Sequence, residues 1–315
     1  MIVKAYAPAS LSNLGPGFDV LGLALTAPEE YVAIELHESA EIQVHCTGPY
    51  GARLPAEPEE NIALKAALAV RETVGSEQGF ALEVCKEVPP GSGLGSSGAS
   101  AAAGVAAANH AFNAGLKLET MLNIAAEAER LSSGSRHLDN VSPSLLGGFV
   151  AVVDQDRPRV EHLSFPKRWH LAVILPHITV RTAEARAVLP EAVPMADALA
   201  NLRNMAGLLK AAQEEDIKAF ARHLDDHLAL PYRKALTPYL SDVQAAAFKA
   251  TGMRVQISGS GPAVFAACPD AQSAEAVCAA VTEKLVDWHI EATQYVSTLQ
   301  SCGALERVEE LEGSL

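Results

Sequence analysis

Gly91, Gly93, Gly95 and Gly98, with Ser92, Ser96 and Ser97 between them, stand in the run Pro89-Pro90-Gly-Ser-Gly-Leu94-Gly-Ser-Ser-Gly-Ala99. Glycines let a backbone approach a ligand closely. The alternation of Phe80, Leu82 and Val84 predicts a strand over 80–88 just before this run. The Ala-rich stretch behind it predicts a helix over 97–113. A glycine loop that opens a helix presents unpaired N–H groups and the positive end of the helix dipole, which suits phosphate. A glycine turn merely capped by serine is the bland alternative, and paired serines at the head of an apolar helix weigh against it. Gly93-x-Gly95-x-x-Gly98 also matches a dinucleotide fingerprint literally. That unit, however, needs a strand after its helix and an acidic residue at the strand's end. Here a second helix, predicted over 118–131, follows directly, and Glu119 sits at its start. A Walker A loop needs a lysine that this run lacks.

The helix over 118–131 carries a carboxylate on the wrong side. Leu118, Leu122, Ala125 and Ala126 share one face, and Glu129 lies about 20° from Leu122 on that face, whereas Glu127 does not. A carboxylate on a buried face needs a counter-charge or a metal. Glu129 and the Ser97 hydroxyl offer the hard oxygens that Mg²⁺ takes alongside phosphates. An internal salt bridge from Glu129 to Arg136 is the alternative.

The elements that must position these groups follow from the rest of the chain. Its 315 residues, 49% of them hydrophobic, suffice for two domains with buried cores. A net charge of −14 disfavours nucleic acid or anionic membranes as partners, so an anionic ligand needs a local device such as the glycine loop. Five scattered cysteines fit neither a zinc site nor a disulfide framework and point to reduced thiols in the cytoplasm. The N-terminus reads as a strand rather than a leader, and no stretch reads as a membrane span. Strands are predicted over 2–7, 31–36, 42–46 and 147–154, and a helix over 61–74. Residues 10–19 and 132–144 read as polar loops. In the second half, strands are predicted over 169–175, 255–258, 263–267 and 293–296. Helices are predicted over 182–188, 195–230 and 271–286. The class is α+β, in two lobes: residues 1–154 and 155–303, followed by an acidic tail, 304–315, expected to be mobile.

With its surroundings, the run 89–99 closely resembles the phosphate-binding motif of the GHMP kinases. Ser10-Leu-Ser-Asn-Leu-Gly-Pro-Gly-Phe-Asp-Val-Leu-Gly22 resembles the N-terminal substrate motif of the homoserine kinase branch, and Ser258-Gly-Ser-Gly-Pro-Ala263 the third, C-terminal glycine motif. The segments Glu57–Ala63, Ser133–Pro143, Thr182–Pro190 and Leu230–Lys234 fit the same branch. One small departure is Gly98, where alanine is common. The resemblance spans almost the whole chain. It implies an N-terminal lobe like domain 2 of ribosomal protein S5 and a C-terminal α/β sandwich. It further implies ATP and Mg²⁺ as cofactors, L-homoserine as the small-molecule substrate phosphorylated in threonine biosynthesis, and a homodimer. By the same resemblance Asn61 lies near the adenine, and Ser97 and Glu129 hold Mg²⁺. Asn13, Asp19, His137, Asp139, Asn140, Arg186 and Arg233 line the amino-acid pocket. Asn140 lies near the reacting hydroxyl with no dedicated base, and Asp139 is the fallback base. The chemistry agrees: guanidinium forks suit the carboxylate of an amino acid, and Asp19 and Asn13 suit its ammonium. A mevalonate-type kinase and a non-catalytic ATP-binding relative are the rival readings.

Overall fold

β1 (Ile2–Ser12) runs antiparallel to β2 (Leu21–Leu36), and the two form the spine of the first lobe. The computed structural model describes residues 1–55 and 60–315, and the side chains of all of these except 131–133. Part of the Glu57–Ala63 segment, 57–59, therefore lies outside the described residues. Next come β3 (Ile42–Thr47), α1 (Ile62–Thr73) and β4 (Phe80–Cys85), with β4 antiparallel to β2 and parallel to β3. Three helices follow: α2 (Ser96–Ala111), α3 (Leu118–Ser133) and α4 (Leu138–Leu146). β5 (Phe149–Asp154) returns beside β2, and β6 (Arg159–Leu163) pairs with β5.

α2 is the axis of this lobe. Ala99 to Ala108 are buried all round, as a helix with no polar face must be. Small side chains let its neighbours come close: a Cβ on Gly104 would stand 2.6 Å from the Ala63 carbonyl oxygen of α1.

The second lobe holds β7 (His170–Pro176), α5 (Thr182–Ala187), α6 (Met195–Gln213), α7 (Ile217–Arg222), α8 (Leu230–Arg233) and α9 (Leu240–Thr251). It continues with β8 (Gln256–Ile257), β9 (Val264–Cys268), α10 (Ala271–Val286) and β10 (Ala292–Thr298). Its strands lie antiparallel in the order β10-β7-β9-β8. One hydrophobic cluster joins the lobes. Leu11, Leu14 and Leu23 pack with Trp169, Leu208, Phe220 and Phe265, and Trp169 meets Phe165 and Phe220 edge to face. This shared core presses the loop after β1 against the second lobe.

Four expectations are corrected. Residues 132–144 are not all loop, because α4 starts at Leu138 and buries Leu138, Val141 and Leu145. Pro143 inside it cannot donate to the Asp139 carbonyl. Gly22 packs there, where a Cβ would stand 2.1 Å from that oxygen. The predicted helix over 195–230 is broken after Gln213, where Glu215 adopts φ 57°, and Asp216 caps α7 afresh. The acidic tail is not a loose end, since its β11 (Val308–Leu311) pairs antiparallel with β1. Leu118 is 42% exposed, while the rest of its predicted face, Leu122, Ala125 and Ala126, is buried. α9, β6 and β11 were not anticipated from the sequence.

Candidate active site

The glycine run folds as a bent loop whose end is the start of α2. Gly91, Gly93 and Gly95 have φ of 69°, 79° and 65°, a region that favours glycine. Gly95 is itself the N-cap, with no side-chain cap, so the serines are not spent on capping. The first backbone bond of the helix runs from the Ala99 N–H to the Gly95 carbonyl at 2.8 Å. The N–H groups of Ser96, Ser97 and Gly98 therefore open outward at the positive end of the helix. The third glycine motif buttresses this loop. Ser258 Oγ donates to the Gly93 carbonyl at 2.7 Å, and Ala263 N–H to the Ser92 carbonyl at 3.0 Å. The N-terminal motif closes the ring, with Ser10 N–H donating to the Leu94 carbonyl at 3.0 Å and Gly259 N–H to the Ser12 carbonyl at 3.1 Å. A Cβ on Gly93 would meet the Ser258 oxygen at 2.7 Å, and one on Gly95 the Ser10 hydroxyl at 2.1 Å, so larger residues cannot stand there.

Glu129 is 2% exposed on α3, as the helical wheel requires. Its Oε1 accepts from Ser97 Oγ at 3.0 Å, and its Oε2 from the His137 N–H at 3.0 Å. His137 Nδ1 lies 3.2 Å from the same Oε2. The salt bridge to Arg136 goes elsewhere: Arg136 pairs with Glu127 at 3.5 Å and donates to Asn123 at 2.6 Å. A carboxylate touching a hydroxyl beside the open N–H groups that start α2 is a donor set that fits Mg²⁺. Among the described residues no group of three His, Cys, Asp or Glu could hold a metal unaided. Ser97 and Glu129 therefore fit a cation that shares its shell with phosphate oxygens and water.

Across the cavity lies a charged constellation drawn from both lobes. Asn13 and Asp19 adopt φ of 67° and 56°, a conformation that Asn and Asp tolerate better than most residues. Asn13 holds the turn, its Oδ1 accepting from the Asp19 N–H at 3.0 Å and its Nδ2 donating to the Gly259 carbonyl at 3.1 Å. Arg186 of α5 forks onto Asp19 with bonds of 2.7 and 3.2 Å. Arg233 is 4% exposed and donates through Nε to the Ala185 carbonyl and through Nη1 to the Gly259 carbonyl. Burial, and then the Arg186 charge, hold Arg233 below the usual guanidinium range. Both guanidiniums stand 5.3 Å from the Phe18 ring, which spaces them. Arg186 Nη2 is 3.1 Å from His137 Nε2 and can donate only to a neutral ring. Burial disfavours charge on His137, but its hydrogen bond to Glu129 and that residue's charge prevail and raise it. His137 thus couples the Ser97–Glu129 end of the site to the Asp19–Arg186 end.

Asp139, in the first turn of α4, is 2% exposed. Burial, and then the nearby Asp19 charge, push its carboxyl up to about 7. Asn140 stands against the cradle: a Cβ on Gly98 would lie 3.0–3.1 Å from its backbone and Cβ. Gly98→Ala should therefore shift Asn140 by a few tenths of an ångström. Any turnover that depends on Asn140 should drop by about three-fold in steady-state kinetics, well under ~1.4 kcal/mol, while ligand binding at the glycine loop is unchanged. Asn61 caps α1, its Oδ1 accepting from the Leu64 N–H at 3.1 Å, and lines the same cavity.

Asn13, Asp19, Asn61, Ser97, His137, Asp139, Asn140, Arg186 and Arg233 line one cavity of about 830 Å³, and Glu129 stands behind its wall, bonded to Ser97 and His137. Sequence reasoning missed Phe18, Lys86, Arg53 and Arg181. The last three line the cavity, but each is a single charge with no motif around it. Phe18 had a signal, its place inside the N-terminal motif. No helix among the described residues is long and apolar enough to cross a membrane.

Comparison with known proteins identifies the family. Residues 61–148 match the GHMP kinases N terminal domain, and residues 208–287 match GHMP kinases C terminal. A homoserine kinase of Pyrococcus furiosus is 41% identical over 295 residues, covering 94% of this chain and 97% of that protein. One from Chlorobaculum tepidum is 32% identical, covering 96% and 97%. The crystal structure of homoserine kinase from Cytophaga hutchinsonii superposes with a TM-score of 0.90 at 36% identity, over 98% of this chain and 96% of that one. Mevalonate kinase of L. major, at 16% identity and a TM-score of 0.74, covering 96% and 97%, shares the fold.

Proposed function

The chain belongs to the homoserine kinase family of the GHMP kinases, and from that membership we propose that it transfers the γ-phosphoryl group of ATP to the side-chain hydroxyl of L-homoserine. The products are O-phospho-L-homoserine and ADP, which places the chain in threonine biosynthesis. The observation that carries this is the union, in one cavity, of an anion cradle at 91–98 with the charged set Asp19, Arg186 and Arg233.

Homoserine brings an ammonium, a carboxylate and a primary alcohol. Asp19, braced by Asn13, takes the ammonium, and Arg186 and Arg233 take the carboxylate. Before substrate enters, Asp19 and Arg186 neutralise each other. A zwitterion exchanges that one pair for two, its ammonium on Asp19 and its carboxylate on the guanidiniums, whereas mevalonate, with a carboxylate but no ammonium, would draw Arg186 away and leave Asp19 unmatched. His137 keeps Arg186 oriented. Asn140, beside Gly95 and Gly98, holds the hydroxyl where it meets the γ-phosphate.

The loop N–H groups hold the triphosphate, and Asn61 faces the adenine end. Ser97 and Glu129 hold Mg²⁺, which when bound neutralises charge on the phosphate oxygens. Phosphoryl transfer asks for positioning and charge neutralisation more than covalent chemistry, so no dedicated base is required. Asp139 is the fallback. A cytoplasmic homodimer is part of the same proposal, on the family likeness.

Two outcomes test it. With ATP and Mg²⁺, ADP should form with homoserine and not with serine, mevalonate or galactose. ATP binding without ADP from any alcohol would make this a non-catalytic relative, and ADP with mevalonate alone a mevalonate-type kinase. Arg186→Met should raise the KM for homoserine roughly 30-fold, the scale of a lost charged hydrogen bond, and leave nucleotide KM within about two-fold.

A further inference from the structure

Beneath the cradle lies an ion pair that the transfer itself does not use. Lys86, just past β4, and Glu30 of β2 are each 1% exposed, with Nζ and Oε1 2.8 Å apart. Lys86 Nζ also donates to the Ser96 carbonyl at 2.8 Å and to Ser100 Oγ at 2.7 Å. An ammonium has three donors, and all three are engaged. Ser100 Oγ in turn donates to Glu30 Oε1 at 2.6 Å. Glu30 Oε2 accepts from the Val88 N–H at 3.3 Å, and the Val88 carbonyl accepts from Ser96 Oγ at 2.8 Å. The cradle is therefore tied at both ends to one pair of charges. Val88 is gripped where the chain enters it, and Ser96 and Ser100 where it leaves.

Stability alone does not call for this arrangement. Apolar side chains of similar volume are often as stable as a fully buried ion pair, because desolvation offsets the attraction. What an apolar pair cannot do is grip a particular carbonyl. The Ser96 carbonyl belongs to the first residue of α2 and adjoins Ser97. Fixing it fixes the direction of the N–H groups of Ser96 to Gly98 and the place of the Ser97 hydroxyl.

We infer that Glu30 and Lys86 are positioning residues for the nucleotide, setting the first turn of α2 against β2 and β4 so that its N–H groups and Ser97 meet the phosphates. This rests on the reading of the loop at 91–98 as the triphosphate cradle.

The test uses the full chain and a non-hydrolysable ATP analogue, AMPPNP, with Mg²⁺. Calorimetry gives its Kd and, separately, the Kd of homoserine, beside a thermal melt. The double variant Lys86→Met with Glu30→Gln removes both charges and keeps the volume. It should melt within a few degrees of wild type and bind homoserine within about two-fold, but bind the nucleotide at least ~10-fold more weakly, the scale on which small misplacements act. Ser100→Ala keeps the ion pair and loses one acceptor. It should fold like wild type and weaken nucleotide roughly three-fold, which carries the test if the double variant does not fold. Folded variants with unchanged nucleotide Kd would make the pair a packing feature and overturn the inference. Wild-type protein that fails to bind Mg²⁺–AMPPNP would overturn the cradle reading and the positioning role with it.

Discussion

Glu129→Ala should lower turnover by ~10³-fold, about 4 kcal/mol of transition-state stabilisation. Glu129 is buried at the head of the cradle, with one oxygen on Ser97 and the other on His137. Its removal takes away both the charge that answers a divalent cation and the acceptor that sets the Ser97 hydroxyl. The loss should fall on kcat and on the Mg²⁺ concentration needed for half-maximal rate, while metal-free nucleotide binds as before. Glu129→Gln separates charge from shape. Its amide can accept from His137 and donate to Ser97, so the protein should melt like wild type and still lose most of its turnover. A glutamine variant within ten-fold of wild-type turnover would show that the carboxylate is structural and that Mg²⁺ is held elsewhere.

Asp139→Asn should raise the melting temperature at pH 8 and leave it almost unchanged near pH 4. The Asp139 carboxyl is pushed up to about 7 in the folded chain, by burial and then by Asp19. An unfolded aspartate titrates near 3.9. Between these values the folded state holds a proton that the unfolded state has lost. Stability from this group is therefore full below ~4 and falls as pH rises through about 7. Above that, the ionised, buried carboxylate costs on the order of 4 kcal/mol, from about three pKa units at 1.36 kcal/mol each. Asparagine is neutral throughout and escapes that cost, so a gain of order 5–10 °C at pH 8 is expected, read from melts across pH 4–8. A melting difference that does not grow with pH would mean that Asp139 is ionised in the fold at neutral pH. The same variant decides the proton's fate in catalysis. A turnover loss beyond ~10² with homoserine affinity intact would make Asp139 the general base, and a smaller loss leaves the transfer base-free.

These two residues also mark how far sequence reasoning reached. Glu129 was legible because helical periodicity is local: Leu122, Ala125 and Ala126 define a face, and the carboxylate falls on it. One partner, Ser97, could be paired with it from the sequence and does donate to it; the second partner was not legible. Arg136 looked right by proximity in sequence, yet His137 took the place because α4 begins one residue later and turns its N-terminus toward Glu129. Asp139 was placed in the pocket by family likeness, but its shifted carboxyl depends on burial and on Asp19, which only folding brings together. α4 was hidden by its polar spelling and by Pro143, which has no N–H for the Asp139 carbonyl and leaves that carbonyl facing Gly22 of β2.

The amino-acid sequence by itself determined the glycine loop, the Ala-rich helix behind it and the face on which Glu129 lies. These follow from backbone freedom and from a repeat of 3.6 residues, interactions that span a few positions. Only the tertiary structure decided which charges meet. Arg186 reaches Asp19 across 167 residues, and Lys86 reaches Glu30 across 56. An ion pair leaves no periodic trace in a sequence, because its energy depends on distance and desolvation in space and not on separation along the chain.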